Sequence, residues 1–181
     1  MTGAASIAPP GLARLQAAAA AAGLAVPAAA AWPESDDDRE ARPLAGFIVS
    51  TFSPLLAEVA ERVLRRRGER APGAVTALVI VTALGDVTSA TQVAETVDAG
   101  GRVGPLLFFQ AVPNAVAGYL AARWDITGPV VCVGDIAAGI DVARLLIDDA
   151  DADEALVVWV DVAVTDEDRD RAAAILAAGP Q

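Results

Sequence analysis

The 181 residues carry 13 basic side chains, all of them Arg, against 24 acidic ones, a formal charge of -11. There is no His, no Lys, and a single Cys, Cys132, which excludes Ser-His and Cys-His pairs, Schiff-base chemistry, a P-loop lysine, a zinc site and a disulfide framework. A pI near 4.3 speaks against nucleic acid as a partner, and 55% hydrophobic residues point to an interface as well as a core.

The chain opens with small apolar residues that superficially resemble a secretory leader. Arg14 is the only early basic residue, and Pro9, Pro10 and Pro27 interrupt the run, so a leader is not expected. No later stretch offers the roughly 20 apolar residues of a membrane span. A soluble, cytoplasmic protein is the expectation. Residues 12–22, LARLQAAAAAA, have high helix propensity but little to bury beyond Leu12 and Leu15, and predict a loose surface helix. Pro27, Trp32, Pro33 and the run Asp36, Asp37, Asp38 read as an irregular solvated connector. The division this suggests is an Ala/Pro-rich segment with an acidic connector over 1–43, followed by an α/β domain over 44–181.

From residue 44 the pattern is regular. Residues 54–67 place Leu55, Leu56, Val59, Val63 and Leu64 on one helical face, with Ser53 suited to the cap and Pro54 to the first turn. Residues 75–83, VTALVIVTA, predict a strand covered on both faces. A helix over 89–98 and a mostly buried helix over 112–124 follow, the latter with Pro113 in its first turn. The short run VVCVG predicts a strand, and Asp135 caps a helix from Ile136 to about Asp148. Residues 155–163, ALVVWVDVA, read as a strand, and Thr165 with Asp168 at near capping-box spacing suggests a last helix to Ala178. Strands alternating with helices indicate an α/β layer structure with a largely parallel mixed sheet and helices on both faces.

Between residues 100 and 163 the order of features becomes specific. Phe108 and Phe109 open it, Val112-Pro113-Asn114-Ala115 starts a helix with small residues after it, and Ile126-Thr127-Gly128-Pro129 makes a turn. The strand Val130 to Val133 comes next, then a strand-to-helix elbow, then the strand Ala155 to Val162. This series resembles the N-terminal half of a β-ketoacyl synthase, best the diverged, chain-length-factor-like branch, and with weaker features it extends over residues 45–163. The resemblance implies a thiolase-like half and polyketide or fatty-acid-type biosynthesis.

In that family the nucleophilic Cys stands seven or eight residues beyond the Gly-Pro turn, at a helix start that lowers its pKa. Here Ala137 occupies that position, and a methyl group cannot attack a thioester. Cys132 falls five residues earlier, in the strand, where a buried, inert thiol is expected. The family's two catalytic His come from a half not present in these residues, and the Gln of decarboxylating relatives is absent too. No condensing chemistry, metal or cofactor of its own is expected, an acyl group on phosphopantetheine being carried by a partner.

Several residues remain as candidates. Asp135 is explained by capping, with a carboxylate facing an acyl group as the sharper alternative. Asn114 either hydrogen-bonds in a first turn or lies by an acyl channel. Phe108, Phe109 and Trp159 are core residues first, channel walls if the resemblance holds in detail. Arg62, Arg65, Arg66, Arg67 and Arg70 suit a helix C-terminus, or a dock for an acidic acyl carrier protein or its phosphate. The acidic run from Asp148 to Glu154 lacks the Gly and terminal Glu of a calcium loop. In the family the strand before the nucleophile pairs with its copy, so Val130, Val131 and Val133 are expected on an exposed edge that makes a homodimer or a heteromer with a ketosynthase. The function that follows is a non-condensing accessory protein. Its rivals are a small acyl-thioester enzyme (isomerase, dehydratase or hydrolase) working through Asp135 or Cys132, and a plain α/β ligand-binding domain.

Overall fold

The computed structural model describes residues 10–165 and 168–180. In chain order these form α1 (Pro10–Ala21), β1 (Ala25–Trp32), α2 (Phe52–Arg66), β2 (Thr76–Val81), α3 (Val87–Asp98), α4 (Pro105–Gln110), α5 (Ala115–Trp124), β3 (Val130–Val133), α6 (Ile136–Asp148), β4 (Glu154–Asp161) and β5 (Arg171–Ala178). The strands make one sheet in the order β1-β5-β4-β2-β3. β2 pairs in parallel with β3 and β4, whereas β5 runs antiparallel to β4 and β1. Four strands therefore point one way and β5 alone opposes them, which is the largely parallel mixed sheet that the alternation of elements predicts.

Each face of the sheet carries two helices. On one, α2 and α5 bring Phe52, Leu55, Leu56, Val59, Val63 and Leu120 onto Leu78, Ile80, Leu156 and Val158. On the other, α1 and α6 bring Leu15, Ala19, Ile136 and Ile140 onto Val79, Val157 and Ile175. β2 and the interior of β4 are buried on both sides, as continuous β-branched and apolar runs require.

Four expectations need correction. α1 is no loose surface helix: Leu15 and Ala19 are fully buried, and Gly11 lies so close to Trp159 that a Cβ there would overlap the indole ring. Residues 25–32 are a strand rather than a connector. Pro27 is tolerated because β1 is at the sheet edge, where a missing N–H breaks no ladder, and the register shifts between Ala25 and Ala28. The last element is a strand, not a helix; β5 is inserted between β1 and β4, and that pairing overrides the helix propensity of RAAAILAA. A boundary at residue 43 would thus cut through one sheet, since β1 on one side of it pairs with β5 on the other.

Smaller differences are local. The predicted helix 112–124 starts three residues late: a separate short helix, α4, ends at Gln110, Pro113 lies in the break, and α5 begins at Ala115. Its buried residues are Val116, Ala117 and Leu120. At the start of α2 the capping oxygen belongs to Ser50, which accepts the Ser53 N–H at 2.8 Å, not to Ser53.

Candidate functional site

The elbow follows edge strand β3. Gly128 forms the turn before it, where a Cβ would stand 2.5 Å from the carbonyl oxygen of Thr76, so only a glycine lets Pro129 bring Val130 alongside Leu78. After Val133 the chain passes Gly134 and reaches Asp135, extended at φ -147 and ψ 162. Its carboxylate accepts the Ala138 N–H at 2.9 Å and its carbonyl accepts the Gly139 N–H at 3.0 Å. That is an N-cap made with one oxygen of the carboxylate. Gly139 then lies where a Cβ would come within 2.5 Å of the Val81 side chain, so its lack of a side chain lets α6 settle onto β2.

Ala137 is exposed in the first turn of α6. Its methyl group has nothing with which to attack. Cys132 lies in β3, not at the helix tip, and it is exposed rather than buried. Partial burial still pushes its thiol up, away from the thiolate form.

The other end of the predicted site is also at the surface. Phe108 and Phe109 are 66% and 60% exposed and so are not core residues. They lie on α4 with Leu106, also exposed, and Val112 follows in the break before α5. The loop after β2 reaches this break, since a Cβ on Gly85 would stand 3.0 Å from Pro113. Asn114 is exposed at the N-cap position of α5 and makes no capping bond, so the first-turn side-chain hydrogen bond expected of it is not formed. α3 and α4 bury only Ser89 and Gln110 among their residues.

The arginine cluster is spent inside the chain. Arg65 pairs with Glu61, Arg66 with Glu34, Arg67 with Glu154 and Arg70 with Asp125, at 2.6–2.9 Å. Arg62 bonds Asp38 and Glu58 and lies over the Trp32 ring, 4.9 Å from its centroid. Every guanidinium of the cluster thus has an acidic partner within the chain, and Arg65 and Arg66 remain about half exposed. Arg62–Glu58 and Arg65–Glu61 are i,i+4 pairs, whereas the pairs with Glu34, Asp38, Glu154 and Asp125 are long-range and leave no mark in local sequence. Asp86, by contrast, was legible but overlooked: buried after β2, it accepts both the N–H and the hydroxyl of Ser89 and caps α3, with the Asp-x-x-Ser spacing of a cap.

Val130, Val131 and Val133 do lie on a sheet edge, with Val130 39% exposed. Along β3 the Leu78 N–H bonds Pro129 and the Thr82 N–H bonds Val133. Parallel strands alternate these directions, so Val131 and Val133 turn their backbone groups to β2, while Val130 and Cys132 turn theirs outward. At the opposite edge of the sheet, Trp32, Phe47, Pro54 and Leu55 help line a separate cleft of about 760 Å³. Among the described residues no group of three or more His, Cys, Asp or Glu could hold a metal, and no helix is long and apolar enough to cross a membrane.

No family model and no curated protein matches the chain. Solved structures do. A chain of the ketosynthase ApeO in complex with its chain length factor ApeC from Xenorhabdus doucetiae superposes with a TM-score of 0.69 at 17% identity, over 87% of this chain and 79% of that one. The fold is thiolase-like. The ishigamide ketosynthase/chain length factor gives a TM-score of 0.60 at 18% identity, over 81% of this chain and 48% of its own. A type II polyketide acyl-carrier protein in complex with its hexaketide-bound ketosynthase gives 0.58 at 11% identity, over 87% and 63%. The chain thus spans about half to two thirds of these last two, and the thiolase-like sheet it supplies corresponds to one half of such a molecule.

Proposed function

We propose that this chain is a non-condensing, ketosynthase-like accessory subunit of polyketide or fatty-acid-type biosynthesis, which binds a ketosynthase through the β3 edge. The observation that carries the reading is a conjunction at one end of the sheet. The elbow holds the methyl group of Ala137, and the strand leading into it is an uncovered edge with apolar side chains. An edge with open N–H and C=O groups recruits a strand. The exposed Phe108, Phe109 and Val112 add the kind of apolar patch that marks protein contact surfaces. Two of the similar structures are, by name, assemblies of a ketosynthase with a chain length factor.

In this reading the acyl group is loaded and condensed on the partner, carried there on phosphopantetheine by an acyl carrier protein. This chain supplies a wall and a pairing strand rather than a reacting atom. Asp135 capping its helix and the upward push of burial on the Cys132 thiol support this reading over one with a reacting atom in this chain.

The test is co-expression with a ketosynthase, with the mass of the complex read by light scattering. The wild-type chain is expected to co-elute, and Cys132→Lys, which puts a charge on the exposed edge without removing a buried group, is expected to abolish co-elution while keeping the thermal midpoint. Incubation with acyl thioesters and mass spectrometry supply the contrary outcome. Stable acylation of Cys132, or turnover lost in Asp135→Asn, would replace this reading by an acyl-thioester enzyme.

A further inference from the structure

The sheet has two edges, and they are treated in opposite ways. Among the described residues, β3 leaves the outward N–H and C=O groups of Val130 and Cys132 open. On β1 the outward groups are those of Ala29 and Ala31, and side chains occupy both carbonyls and the Ala31 N–H. Arg66 donates to the Ala29 carbonyl at 2.8 Å, Arg62 donates to the Ala31 carbonyl at 3.2 Å, and the Ala31 N–H donates to Glu34 at 2.9 Å. Pro27 has no N–H to offer, and the register breaks beside it. The capping side chains are themselves fixed. Arg66 makes a two-pronged bond to Glu34 at 2.7 Å on each prong, and Arg62 grips Asp38 at 2.7 and 2.9 Å.

We propose that Arg62, Arg66 and Glu34 form a built-in cap on the β1 edge that keeps copies of this chain from pairing head to tail through it, leaving β3 as the pairing edge among the described residues. The physical argument is valence. A sheet with two open edges can pair head to tail without end, because one molecule's β1 can meet the next molecule's β3, and such a contact generates open chains instead of closed pairs. Blocking one edge removes that route. The occupant of the open edge is the ketosynthase subunit of the preceding reading, and the inference rests on it only for the partner's identity.

The test uses the full chain alone, over a concentration series by light scattering, with folding followed by circular dichroism. Arg66→Ala uncaps Ala29 and is expected to grow beyond a dimer where the wild type does not. Adding Cys132→Lys blocks the other edge and is expected to return the mass to a dimer at most. Pro27→Thr restores an edge donor without touching an ion pair, and it replaces Arg66→Ala if that variant loses structure. A folded variant of either kind that keeps the wild-type mass at every concentration overturns the proposal, as does growth that Cys132→Lys leaves unchanged. Failure of the wild type to bind a ketosynthase would sink the earlier reading without altering these masses.

Discussion

Asp38 shows how one side chain fastens a loop to a helix. Hydrogen bonds from the Arg62 guanidinium, helped by the Glu34 and Ser35 N–H groups, hold its carboxyl down at about 2 against an ordinary 3.8, although burial works the other way. Glu34 is lowered in the same sense, chiefly by Arg66. In the unfolded chain Asp38 takes up its proton near its ordinary value, so the unfolded state binds more protons below that point. The stabilisation is therefore complete above about pH 4 and is lost as the pH falls toward about 2. Urea midpoints measured across that window should fall with pH in the wild type, and Asp38→Asn should flatten the fall. Asp135 is the second informative carboxylate. Its replacement by Ala should cost about 1 kcal/mol, the usual worth of an N-cap, and leave ketosynthase binding unchanged.

At the scale of elements, α1 depends on smallness. Gly11 lies against the Trp159 ring, and Leu15 and Ala19 are buried beneath the helix. Gly11→Val should lift the first turn off the indole and lower the thermal midpoint, with Trp159 fluorescence shifting as the ring gains water. Leu15→Ala should cost about 2 to 5 kcal/mol, the range for emptying a buried Leu site. The elements that were legible from residues are those whose apolar period matches their state: α2, β2, β4 and α6 with its Asp135 cap. Those that misled are the Ala-rich ones. β1 and β5 are alanine strands in which tertiary pairing overrules propensity, and alanine suits them because helices approach the sheet closely there. Thr165 does bond Asp168, at 2.8 Å, but the chain goes on from Arg171 as the strand β5.

For the whole molecule, the strand β3 and the helix after it could be read from the Gly128-Pro129 turn and the Asp135 cap, because those features are local, whereas the edge position of β3 followed only from the resemblance. The fate of the arginine cluster could not be read. Apart from the i,i+4 partners Glu58 and Glu61, its partners Glu34, Asp38, Asp125 and Glu154 lie 24 to 87 residues away in sequence, and only the fold brings them together. The exposure of Phe108 and Phe109 was hidden for the converse reason, since aromatic residues read as core until an unfilled side is seen. Replacing both with Ser should weaken ketosynthase binding and reduce binding of a hydrophobic dye, while the thermal midpoint of the free chain stays within about 1 °C because little buried area is lost.

The stretch from Leu84 to Pro113 contains two helices that sink only Ser89 and Gln110 into the molecule. A region with so little anchoring opens at small free-energy cost, whatever the stability of the sheet beneath it. Its amide protons should trade with deuterium quickly when the subunit is alone and slowly once a ketosynthase shields them. Exchange at these amides would then serve as an internal clock for assembly, keeping time independently of any enzymatic turnover.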